Sequence, residues 1–146
     1  MIKIGFHSKN LAENLAGDIT EIALIQELAL NDLGKKLEKE MKRGIDEEIG
    51  MEPLSLMTID RKGHSKILID TGQMYDSIEW REDGRNITVG VHDDAPNDRA
   101  KIALTHEFGD PARGIPARPF IWPAWERKKR FYAKAMAEEI GLALRL

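Results

Sequence analysis

The sequence predicts an α+β fold: a long N-terminal helix and a C-terminal helix packed on a small, mainly antiparallel β-sheet. Three observations carry that expectation. Apolar residues recur three to four apart over some thirty positions near the start, the period of a helix with one buried face. Two short alternating runs flank Asp83-Gly84, the pattern of a hairpin. A second helical pattern closes the chain after a stretch crowded with proline.

In chain order, Ile2, Ile4 and Phe6 alternate with Lys3 and Gly5, as in a short strand. Leu11 to Ala16 adds a turn of helix. The long helix is expected to begin at Asp18, which with Glu21 forms a capping-box-like start. Its buried stripe is Ile22, Leu30, Leu33, Leu37, Met41, Ile45 and Ile49. On its outer face Lys36 should meet Glu40, and Glu38 should meet Lys42. Gly34 and Gly44 signal a bend or a close contact, and Gly50 and Pro53 are expected to stop the helix. Pro53-Leu54-Ser55 reads as a turn or a second helix start, and Arg61 to Lys66 as a basic loop. Asp70 with Gln73 looks like another capping box, opening a short helix that buries Met74 and Ile78. Strands are expected at 78–82 and 86–92, with Ile87, Val89 and Val91 on the core side. After an acidic loop and a short helix at 100–108, the final helix should run from Pro123 to about Arg145. Its apolar positions are Ala124, Phe131, Ala135, Ile140 and Leu144.

At 146 residues, with 42% hydrophobic and 32% charged residues, the chain suits one domain spanning 1–146. No apolar run approaches the ~20 residues that cross a bilayer, so no membrane partner is expected. The first ten residues lack a signal peptide's apolar segment. Without cysteine there is neither disulfide nor thiolate chemistry. A net charge of −3 is no footprint for wrapping nucleic acid, although Arg127 to Arg130 forms a local basic patch.

The segment His106 to Trp125 dominates the second half. It holds four of the six prolines and two of the three tryptophans. Each proline fixes φ and removes a donor, so the segment is stiff and neither helix interior nor central strand. Phe108, Gly109, Arg118, Pro119, Phe120 and Trp122 are the candidates for an interface or for setting its shape; Asp70, Thr71 and Gly72 are expected to fix the turn and cap before the hairpin.

Motifs for catalysis are weak. Asp70-Thr71-Gly72 after Ile67-Leu68-Ile69 matches the aspartic-protease triplet, whose paired carboxylates activate water. The helical pattern that follows favours a cap instead. His106-Glu107 is half a zinc motif, but Asp110 stands where the second histidine belongs. Asp93, Asp94 and Asp98 lack the spacing and glycine of a calcium loop. No catalytic residue, metal or cofactor is expected.

Taken together, the order of motifs resembles the phage virion morphogenesis and tail-component families. The matching residues are Pro53-Leu54 to Thr58-Ile59, Lys62-Gly63, Leu68 to Met74 and Ser77-Ile78. His106-Glu107-Phe108-Gly109 and Ile115-Pro116-Ala117-Arg118-Pro119-Phe120 follow, before a closing helix. The resemblance covers about residues 51 to 130. It implies a structural, non-enzymatic subunit at the neck or upper tail of a tailed virion, present in the host cytoplasm during assembly. It also implies a ring of identical subunits, other neck and tail proteins as partners, and contact with DNA only by its passage through a channel. The two other readings are a retroviral-type aspartic protease using Asp70-Thr71-Gly72 and a small nucleic-acid-binding module using Arg127 to Arg130.

Overall fold

The computed structural model of the chain describes residues 1–5 and 19–143. The expected turn at Leu11–Ala16, the Asp18 cap, Phe6 and the positions Leu144 and Arg145 lie outside them. The elements run β1 (Ile2–Gly5), α1 (Ile19–Asp46), α2 (Leu56–Lys62), α3 (Gln73–Asp76), β2 (Ile78–Asp83), β3 (Asn86–Val91), α4 (Arg99–Phe108) and α5 (Ile121–Ala143). A 3₁₀ turn, Pro111–Arg113, lies between α4 and α5. This is the α+β arrangement that the two periodicities predict. Among the described residues no helix is long and apolar enough to cross a membrane.

The sheet is antiparallel throughout, in the order β1-β3-β2. Gly84 and Arg85 form the two-residue loop between β2 and β3, with Asp83 opposite Asn86; Gly84 takes a φ of 60°. The register sets Ile78 opposite Val91 and Glu82 opposite Ile87, so the buried side of β3 is Ile87, Val89 and Val91. Helix α1 packs on β2, β3 and α5. Its stripe from Leu30 to Ile45 joins Ile78, Ile87, Val89, Phe120, Ala124 and Met136 in one core cluster. Each leucine, isoleucine, valine, methionine or phenylalanine among them contributes about 1.5–3 kcal/mol on removal from water. Gly34 is where Trp80 lies against the helix: a Cβ there would stand 2.7 Å from the indole ring. The close contact expected at this glycine is therefore present.

Four local expectations need correction. Helix α1 is ended by Glu48, not Gly50. The Glu48 N–H reaches Ile45 O (3.1 Å) and the Ile49 N–H reaches Gly44 O (3.0 Å), a Schellman closure with Glu48 at φ 51°. A glutamate takes the place usual for glycine, and its carboxylate accepts the Ile67 N–H at 2.9 Å, tying the helix end to a distant loop. Arg61 and Lys62 form the last turn of α2 rather than loop, because Ser55 caps that helix through the Thr58 N–H. Asp70 does not cap α3: the capping position is Gly72, at φ 81° with no side-chain cap bond, while Thr71 Oγ1 accepts weakly from the Gln73 N–H at 3.5 Å.

The fourth correction concerns α5. It starts at Ile121, so Pro123 sits in its first turn, where a missing N–H costs nothing. Its buried residues are Ile121, Ala124, Tyr132 and Met136, whereas Phe131 is exposed.

Candidate interaction site

The proline-rich segment is a rigid strap fastened at three points. The first is Glu107, buried at the end of α4. Its Oε2 accepts the N–H groups of Phe120 and Ile121, and its Oε1 that of Trp122, each at 2.9 Å. These donors open α5 and have no partner within the helix, and a carboxylate also suits the positive end of the helix dipole. The glutamate of the half zinc motif is thus the cap of the last helix.

The second point is the turn at Gly109. Its φ of 76° and ψ of 176° are open to glycine almost alone. A Cβ there would meet Ala117 N at 2.8 Å and Ile115 O at 2.9 Å. Asp110 and Ile115 then exchange backbone hydrogen bonds at 2.8 and 2.9 Å around the Pro111–Arg113 turn. Asp110 also accepts from Arg113 Nε at 2.6 Å.

The third point is Arg118. Its N–H donates to His106 O at 2.7 Å. The residue is 8% exposed, and its guanidinium donates to Glu52 O at 2.7 Å and Pro53 O at 3.1 Å, holding the strap to the segment before α2. Arg118 sets the shape of the strap from within, with its side chain along the wall of the cleft beside α2. Phe120 is likewise core, at 1% exposure, and Pro119 is half-buried.

Two of the six candidates remain at the surface. Phe108 is 75% exposed and Trp122 57%. Phe108 follows Glu107 in the chain, and Trp122 is bonded to Glu107 through its backbone, so both aromatic rings leave the same fixed cap.

Three of the four residues in the basic run on α5 are paired with carboxylates, and Arg130 is exposed. Arg127 donates to Glu40 at 2.6 Å, Lys128 Nζ lies 3.4 Å from the same carboxylate, and Lys129 pairs with Glu126. Glu40, expected on the solvent face with Lys36, is buried, and Lys36 pairs with Asp32 instead. The Glu38–Lys42 pair forms as expected, at 2.8 Å. Glu40 also takes two bonds from Arg43. Hydrogen bonding from Arg43 above all, then from Arg127, with Lys128 adding its charge, lowers its pKa to about 2 against the cost of burial. This clasp joins α1 to α5. A Cβ on Gly44 would stand 3.2 Å from the Arg127 guanidinium, so the glycine leaves it room.

Asp70, Thr71 and Gly72 line a cleft beside α2 and α4. Residues 67–69 are not a strand, and Leu68 has a φ of 57°, so the extended lead-in of a protease triplet is missing. Asp94 is held by Arg81 in a two-oxygen contact at 2.9 and 2.8 Å. Among the described residues no three histidines or carboxylates converge as metal ligands. His106 also lines the cleft; burial, then the charges of Arg118 and Lys62, push its pKa down.

No protein-family model, curated protein or solved structure matches this chain.

Proposed function

We propose that the chain is a structural virion protein of a tailed phage or prophage, acting in tail completion or head–tail joining as one subunit of a ring. The observation that carries this reading is the exposed pair Phe108 and Trp122 on a backbone fixed by Glu107. Large aromatic rings held rigidly at a surface are the usual anchors of protein interfaces, because ordering them on binding costs little. The order of motifs through the same strap supplies the phage context. In a ring, each subunit offers this corner to a different patch on its neighbour, a heterologous contact that closes by rotation. Exposed Leu56 and Met57 on α2, at 85% and 83%, add apolar surface for such contacts.

Neither other reading gains an observation. The protease needs a strand before Asp70, and three of the four cations a nucleic-acid module would use are engaged by Glu40 and Glu126.

The test is a phage carrying the paired substitutions Phe108→Ser and Trp122→Ser. Both side chains are exposed, so the purified variant should melt with the wild type. The reading expects virions blocked at the joint, with heads and tails unjoined. Fully infectious particles from a normally folded variant would overturn it.

A further inference from the structure

We propose that the cleft between α2, α4 and the 110–118 strap binds a carboxylate of an acidic peptide segment from a partner protein. This inference does not rest on the virion reading. The cleft has a volume of about 550 Å³ and is lined by Arg61, Lys62, Arg99, His106 and Arg118, against the acids Glu52 and Asp70. Its cations are held by neutral groups. Arg118 spends its hydrogen bonds on two backbone carbonyls, and Lys62 donates to Lys66 O at 2.7 Å. Arg99 donates to Ser77 Oγ at 2.9 Å and Gln73 Oε1 at 3.4 Å, while its Nε is buried with no partner among the described residues. The same is true of His106 Nδ1.

Of the described arginines outside the cleft, Arg43, Arg81, Arg113 and Arg127 each pair with a carboxylate, and Arg85 and Arg130 are exposed to water. Among the described residues no carboxylate comes within 4.0 Å of Arg61, Lys62, Arg99 or Arg118. Asp70 and Glu48 act on Lys62 only through space; partly buried positive charge with no carboxylate in contact is costly, and an entering anion relieves that cost through charge-assisted hydrogen bonds. Burial lowers the pKa of His106 most, and the charges of Arg118 and Lys62 add to it.

The shape selects the anion's carrier. A DNA duplex presents phosphates along a broad ridge and calls for cations on an exposed face. Here Arg118 is recessed, and Leu54, Ile102 and Ile115 supply apolar wall. An aspartate or glutamate side chain can enter while apolar neighbours cover the walls, the usual combination in a concave site.

Nuclear magnetic resonance titration at low salt tests this with three probes: a capped peptide of alternating leucine and glutamate, its glutamine counterpart, and inorganic phosphate. The acidic peptide should shift signals of Arg99, His106 and Gln73 and saturate, while the glutamine peptide leaves them in place. Arg61→Gln, an exposed change, and Arg99→Gln should each weaken binding about tenfold, the loss of one charge-assisted hydrogen bond. The assignment is overturned by no saturable shift, by equal binding of the glutamine peptide, by binding of phosphate alone, or by unchanged affinity in the Arg61→Gln variant.

Discussion

Replacing Glu40 with glutamine removes the charge from the clasp between α1 and α5 while keeping the side chain's volume. A fall in pKa from 4.5 to about 2 corresponds to roughly 3 kcal/mol of preference for the ionised form in the folded chain. Glu40 is 5% exposed, but Arg43 and Lys128 are 42% and 38% exposed, and solvent screens their share. The expected loss is therefore about 2 kcal/mol, or about 4–8 °C in melting temperature for a chain of this size. The pH dependence follows from the direction of the shift. The folded pKa lies below the unfolded one, so the stabilisation is full above about pH 4.5 and disappears as pH falls towards 2. Urea denaturation of both proteins at pH 7 and at steps from 5 to 2 measures both quantities. Wild type and Glu40→Gln should differ most at pH 7 and converge near pH 2. A loss below about 0.5 kcal/mol at pH 7, or parallel pH curves from 4.5 to 2, would refute the clasp as a source of stability.

Three other outcomes are expected. Glu107→Ala leaves the opening N–H groups of α5 without their acceptor and should cost about 3 kcal/mol by chemical denaturation. Gly109→Ala puts a Cβ 2.8 Å from Ala117 N in a glycine-only conformation, and should lower stability by about 3 kcal/mol, again read by denaturation. His106 has its folded pKa below the unfolded value near 6.5, so the stability tied to its neutral form is present above that pH and lost as pH falls through the folded pKa; His106→Gln should flatten stability between pH 7 and 5.

Much of this fold is legible in local patterns. The α1 stripe, the hairpin with its core-side Ile87, Val89 and Val91, and the short α4 are each set by periodicity and turn chemistry over a few residues. What was hidden depends on partners far along the chain. Arg127 meets Glu40 across 87 positions, and Glu107 caps a helix that opens 14 positions later. Glu40 did carry one local signal: it falls between Leu37 and Gly44 at helical spacing, on the buried face. Charge spacing alone pairs it with Lys36, whereas its place on the buried face sends it to Arg43 and Arg127. Glu107 carried none, because a cap from another helix has no fixed offset. The start of α5 was displaced for the same reason, since Pro123 looks like a boundary until the carboxylate supplies the first turn's partners.

At the strap, stiffness was readable from four prolines, but which side chains face outward was not. Arg118 and Phe120 turn inward because the segment before α2 and the core lie on that side. Phe108 and Trp122 turn outward. The cationic cleft was invisible for a simpler reason: Arg61, Arg99 and Arg118 lie on three separate segments that only the folded chain brings together.

Electron microscopy of particles released after deletion of this gene tests the proposed virion role most directly. Filled heads beside detached or abnormal tails are the predicted result. Normal, complete virions would contradict it.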